Sequence, residues 1–293
     1  MSKAAIKTWS TPVIAEKKEP IPCCLCGGNL FKTCLSCEGF FYVRCVSCGL
    51  VQMNPQPLES ETKQRYNREE THGDDYLAYE LANEDSFLDL QLLALGDVDF
   101  YDLEKELLGK DNRQRILDLG CAIGSLLLRL RDRGWETTGV EISRPQAEYG
   151  RQKRNLDIRP LPLKENHFPA GYFNVVHASH LIEHLNDPVS MIREVHRILA
   201  AGGWFFITTP NIAGFQARFF GSRWRSAIFD HLYLFSIGTL KRLLRENGFT
   251  IEKTSTWGGL GAGIAPRPVK RFLDRAAKRF GFGDVMILRV KKA

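Results

Sequence analysis

Ile116 to Gly124 read ILDLGCAIG. A short apolar run ends in an acid, and two glycines follow, four residues apart. Ile116 and Leu117 suit a buried strand, and SLLLRLRDRG (125–134) suits the helix after it. Gly120 and Gly124 then occupy the turn, where a missing side chain lets backbone N–H groups approach a ligand closely. A dinucleotide fingerprint would need glycine at 120, 122 and 125, but the chain has Ala122 and Ser125. Asp118, at the end of the strand, opposes a pyrophosphate and favours a cation. Beyond it, Glu141 closes a second strand, TTGVEI (137–142). A carboxylate there can accept both hydroxyls of a ribose, at about 1.5–3 kcal/mol per hydrogen bond. The expected ligand joins a ribose to positive charge, as S-adenosylmethionine does with its ammonium and sulfonium.

On either side of this turn the pattern extends. RILDLG, TTGVEI, NVVHAS, WFFITTP, TIEKTST and VMILRV are strand candidates. The helical patterns are SLLLRLRDRG, RPQAEYGRQKRN, PVSMIREVHRILAAGG and GTLKRLLRENG, with Gly134, Gly202 and Gly248 as left-handed caps. The alternation predicts an α/β fold, a Rossmann-like, doubly wound, mostly parallel sheet. The last two strands, flanking PRPVKRFLDRAAKRFG, supply an antiparallel edge. Composition divides the chain into a polar tail (1–22), a cysteine segment (23–56), a helical cap or linker (57–110) and the α/β domain (111–293).

Seven of the eight cysteines fall between Cys23 and Cys48. Cys23-x-x-Cys26 and Cys45-x-x-Cys48 can each present two thiolates to one tetrahedral Zn²⁺, with Gly27 and Gly49 freeing the backbone to turn. Four cysteines leave no open position, so the expected metal is structural, in a small N-terminal zinc ribbon. Cys34-x-x-Cys37 is an extra pair that could replace an outer pair or hold a second metal. The plainer reading makes Cys24, Cys34 and Cys37 non-ligating thiols.

The 293 residues are 44% hydrophobic and 25% charged, as in an ordinary globular protein. MSKAAIKTWSTPVIAEKKEP has no apolar stretch of a signal peptide, so a cytoplasmic location is expected. The net charge of +6 is mild, and only Lys32 and Arg44 are basic between Cys23 and Cys48. That argues against nucleic acid as partner, which needs a concentrated cationic face. Contact of residues 266–282 with an anionic membrane is a weaker reading than a helix packed on the sheet.

ILDLGCAIG…VEIS, FNVVHASHLIEHL and GGWFFITTPN together resemble the class I S-adenosylmethionine-dependent methyltransferases of small molecules, over roughly Arg115 to Val290. The cysteine leader is similar to the zinc ribbon of sugar C-methyltransferases. The resemblance implies that Asp118, Gly120, Cys121 and Gly124 frame the methionine end of the cofactor. Glu141 would bind ribose, Ile142 would pack on adenine, and Ala178 and Ser179 would contact the amino-acid moiety. The family's middle glycine is Ala122 here, which fits if its φ is negative. Its FD is Phe173-Asn174, and Glu165 is the nearest acid after the third strand.

Acceptor residues are expected on loops at the carboxyl ends of strands. His180-Leu-Ile-Glu183-His184 offers His184. NIAGFQARFFGSRW (211–224) offers an aromatic lid or a packed insertion. Asp230-His231 offers an acid–histidine pair with His231 as base. Tyr66, Tyr76 and Tyr79 are further candidates. The implied activity is methyl transfer to a sugar, lipid-linked or secondary-metabolite acceptor, by a monomer or homodimer. An RNA methyltransferase or a non-catalytic scaffold is the alternative.

Overall fold

In a computed structural model of the chain, residues 17–62, 74–110, 112–258, 277–278 and 280–293 are described. Tyr66, residues 1–16 of the 1–22 tail and most of residues 266–282 lie outside them. The leading segment has strands β1 (Lys18–Glu19), β2 (Phe31–Cys37), β3 (Phe40–Cys45), β4 (Val51–Met53) and β5 (Gln56–Pro57). Helices α1 (Asp74–Ala82), α2 (Glu84–Asp97) and α3 (Phe100–Leu108) follow. Then come β6 (Arg115–Leu119), α4 (Ser125–Asp132), β7 (Glu136–Val140), α5 (Arg144–Arg154), β8 (Ile158–Arg159), β9 (Phe173–Ser179) and α6 (Pro188–Ile198). The remainder is β10 (Leu199–Pro210), α7 (Phe215–Phe220), β11 (Tyr233–Leu234), α8 (Ile237–Glu246), β12 (Phe249–Trp257) and β13 (Val285–Lys292).

Among the described residues, the main sheet has seven strands in the order β12-β13-β10-β9-β6-β7-β8. The run from β10 to β8 is parallel, and β13 is antiparallel to both of its neighbours. Strand order reverses between β6 and β9, which opens a crevice at their carboxyl ends. Side chains alternate across the sheet. Ile116, Val175, Phe206 and Ile287 face a layer made by α2, α3 and α4, through Leu95, Phe100, Leu103, Leu126 and Leu130. Leu117, Val176, Phe205, Ile207 and Leu288 face α6 and α8, through Ile192, Val195, Leu240 and Leu244. Gly202 is no helix cap. α6 ends at Ile198, and Gly202 (φ +68) lies where β10 is irregular before settling into register at Trp204.

The cysteine segment builds a second sheet, β11-β4-β3-β2. Its last strand is not local: Tyr233 and Leu234 pair with Gln52 and Val51. Cys23, Tyr42, Leu50, Val51 and Met53 are buried in the same apolar cluster as Ile192, Phe205 and Leu240. Among the described residues, no helix is long and apolar enough to cross a membrane.

Candidate functional site

A cleft of about 2410 Å³ opens at the strand reversal, lined by the turn after β6, the ends of β7 and β9, and α1. That exceeds the roughly 300–1,000 Å³ of a single small-ligand pocket, so two molecules can meet in it. Gly120 and Ala122 line it. Gly120 is left-handed (φ +68), as the turn demands. Ala122 is also left-handed (φ +50), against the expectation of a negative φ, and its N–H donates to Glu141 Oε2 at 3.0 Å. Ser143 N–H donates to Oε1 of the same carboxylate at 2.7 Å. Two backbone donors therefore fix the Glu141 carboxylate at the mouth of the turn. Burial pushes its proton affinity up, and the Asp118 carboxylate adds to that.

Ile142 and Ser179 also line the cleft, but four residues implied by the resemblance do not. Asp118 and His177 are paired in register on β6 and β9, so their side chains share one face of the sheet. Asp118 Oδ1 lies 2.7 Å from His177 Nδ1, with both residues buried. Cys121 is buried against Leu127, Ala147 and Ile158. Gly124 (φ +79) starts α4, and a Cβ there would come within 2.5 Å of Leu156, so its glycine serves helix packing. Ala178 is inside β9, not past it, and faces the core.

The negative charge expected of Asp118 is found on Glu80 of α1, which the sequence reading missed. Glu80 lines the cleft and is 8% exposed. Ile123 N–H donates to its Oε1 at 3.4 Å, while its buried Oε2 has no partner among the described residues. Burial, reinforced by Glu141, raises its pKa to about 7. Next to it, Arg154 and Ser125 Oγ both bond the Glu84 carboxylate, which ties α2 to α4 and α5 beside the turn. Tyr76 and Glu165 line the cleft too; Tyr79 does not.

His180, His184, Asp230 and His231 line the same cleft. Glu183 and His184 belong to a short 3-10 turn, Ile182–His184, rather than opening a helix. The Glu183 carboxylate is fully buried, accepts from Thr209 Oγ1 (2.9 Å) and lies 3.2 Å from His180 Nδ1. The three neighbouring histidines outweigh its burial and hold it down to about 2. His231 Nδ1 is 2.8 Å from Ser226 O, and His184 Nδ1 is 3.0 Å from Asp230 O. The acid grouped with His231 is Glu183, not the adjacent Asp230, which offers His184 its backbone carbonyl. Burial and the neighbouring His184 push His231 down to about 4, so its ring is neutral at pH 7. Phe215, Phe219, Phe220 and Trp224 do not line the cleft, and Trp224 is buried with its indole N–H on Asp284.

The ribbon reaches this group directly. Tyr42 OH lies 2.7 Å from both Ile228 O and His231 O, which share its single proton, and Met53 N–H donates to Leu232 O at 2.8 Å. The sulfurs of Cys23, Cys26, Cys45 and Cys48 all lie within 4.8 Å of one another, with Cys23–Cys48 at 3.4 Å and Cys26–Cys45 at 3.5 Å. Cys24, Cys34 and Cys37 are outside this group.

Residues 98–254 match the family model described as a methyltransferase domain. Two relatives share the name ubiquinone biosynthesis O-methyltransferase. The protein of Bordetella avium (strain 197N) is 28% identical over 113 residues, 36% of this chain and 47% of that protein. That of Pseudomonas aeruginosa (strain LESB58) is 31% identical over 105 residues, 33% of this chain and 45% of that protein. The chain thus spans about half the length of the curated relatives it matches. A crystal structure of a SAM-dependent methyltransferase from Archaeoglobus fulgidus superposes with a TM-score of 0.52 at 19% identity, covering 73% of this chain and 99% of that one, which shows the shared fold.

Proposed function

We propose that this chain, which belongs to the methyltransferase-domain family matched over residues 98–254, moves a methyl group from S-adenosylmethionine to an oxygen of a small-molecule acceptor. The observation that carries this reading is the Glu141 carboxylate, held by the Ala122 and Ser143 N–H groups at the strand reversal. Each of its oxygens keeps a lone pair for a ribose hydroxyl. The unpartnered, buried Glu80 Oε2 fits a cationic ligand, since an orphaned buried carboxylate oxygen is costly without one. Gly120 and Ile142 shape the intervening wall. When bound, the cofactor supplies an electrophilic methyl on a cationic sulfur. The residues of the chain bind it and align the acceptor, and positioning alone can lower a barrier by ~7–11 kcal/mol.

His184 and His231 mark the acceptor end, on the same cleft. The shared name of the two relatives supports an oxygen acceptor. Cys23, Cys26, Cys45 and Cys48 hold a structural Zn²⁺ in this reading. Soft thiolates favour that ion, and Zn–S bonds of ~2.3 Å in a tetrahedron require sulfurs about 3.8 Å apart, near the spacings found. Calorimetry with S-adenosylmethionine tests the main claim. The wild-type chain should bind it, and Glu141→Ala should weaken it by more than about tenfold, as loss of charge-assisted hydrogen bonds implies. Equal affinity in the variant would refute the ribose assignment.

A further inference from the structure

We propose that Glu183, His184 and His231 form a binding site for a divalent transition-metal ion, with the two histidines on the cleft wall and the Glu183 carboxylate buried behind them. Their ligand atoms lie within 4.8 Å of one another, in a group separate from the four cysteines. Around an ion with ~2.1 Å bonds, neighbouring ligand atoms sit about 3–3.5 Å apart, a gap that small side-chain rotations close.

Three features beyond proximity point to an ion. Both histidines have Nδ1 against a backbone carbonyl, His184 on Asp230 O and His231 on Ser226 O. A carbonyl only accepts, so Nδ1 carries the proton and the lone pair is on Nε2. Ligating histidines are fixed in this way, the other ring nitrogen donating to a carbonyl or carboxylate. The carboxylate is likewise held: Thr209 Oγ1 donates to Oε2, and His180 lies against Oε1. His180 itself is kept left-handed (φ +52), with its N–H on Thr208 O, a strained conformation of the kind found at functional sites. Finally, His180, His184 and His231 all line the cleft that Glu141 and Gly120 line, so an ion there would face the second molecule.

The donor set selects the ion. Two imidazoles and one carboxylate suit Mn²⁺, Fe²⁺, Co²⁺ or Zn²⁺ better than Mg²⁺ or Ca²⁺, which take oxygen. Three protein ligands leave positions for an acceptor oxygen, whose proton the ion would make easier to lose. In the transfer, the acceptor O–H gives its proton to water and its oxygen lone pair forms the new bond to the methyl carbon. The S–CH₃ bonding pair returns to sulfur, and the sulfonium becomes a neutral thioether. His231 is then a ligand rather than the base. The choice of reaction rests on the methyl-transfer reading; the ion site does not.

The full-length chain, given one equivalent of zinc for the four cysteines and freed of any excess, is titrated with Mn²⁺ and the free ion is followed by electron paramagnetic resonance. S-adenosylmethionine binding is measured calorimetrically on the same preparation. One Mn²⁺ per chain is expected, weakened more than about tenfold in Glu183→Gln and His184→Gln and about tenfold in Thr209→Val, which removes only the support of the carboxylate. No Mn²⁺ uptake by the wild-type chain overturns the site, as does uptake that all three variants leave unchanged. A chain that binds the cofactor but no Mn²⁺ refutes the ion alone. One that binds Mn²⁺ but no cofactor refutes the methyl-transfer reading alone.

Discussion

Ala122 and Glu80 are the two residues whose chemistry departs most from an ordinary strand–turn–helix. Ala122 holds φ +50 while donating its N–H to Glu141. A left-handed L-residue costs roughly 1–2 kcal/mol, so Ala122→Gly should raise stability by about 1 kcal/mol in chemical denaturation while keeping the hydrogen bond. An unchanged or lower midpoint would show the strain is absent. Glu80 titrates about 7 when folded, above its ordinary value of 4.5. A raised carboxyl stabilises the fold below the unfolded value, and that stability is lost as pH rises through about 7. A cationic ligand prefers the ionised form, so affinity for S-adenosylmethionine should rise several-fold between pH 6 and pH 7.5. Glu80→Gln should flatten that rise and remove its share of the stability loss. A wild-type affinity independent of pH across this window would contradict the role given to Glu80.

Among the elements, β11 carries the most information about how the site is held. It adds Tyr233 and Leu234 to the ribbon's edge, two residues after His231. Tyr42 OH reaches from β3 to the carbonyls of Ile228 and His231. Tyr42→Phe leaves the buried His231 carbonyl short of a donor, at about 1–3 kcal/mol, while Ile228 O keeps the His231 N–H. The expected result is a lower melting temperature and slower turnover, with cofactor affinity unchanged, since Tyr42 bonds only the 228–231 segment and not the Glu141 turn. Equal losses of cofactor affinity and turnover would show that the ribbon does not act on the acceptor end. This link was not legible in the sequence, because strand pairing between residues 51–52 and 233–234 leaves no local pattern. The central strands were legible, since apolar runs bounded by glycine carry their own signal. The glycine at 124 was read as a ligand contact because positive φ and tight packing ask for the same residue. The pairing of Asp118 with His177 was illegible for a related reason, since only sheet register joins them.

Over the whole molecule, the ribbon and the α/β core share one apolar cluster, with Cys23, Tyr42 and Met53 beside Phe205 and Leu240. A cysteine segment built this way, with zinc bound as proposed, should not melt alone. Stripping zinc with a chelator should shift the main calorimetric transition downward, whereas a separate small transition with the main one unmoved would show two independent units. One cleft likewise takes in Glu141 and Glu80 together with His184 and His231. Methyl transfer requires cofactor and acceptor to occupy it together. The most direct measurement is a crystal structure of the chain grown with S-adenosylhomocysteine. Density for the ribose, with both hydroxyls on the Glu141 carboxylate and the amino group toward Glu80, is the expected result. An empty crevice at Gly120, or the nucleoside bound elsewhere, would contradict the assignment.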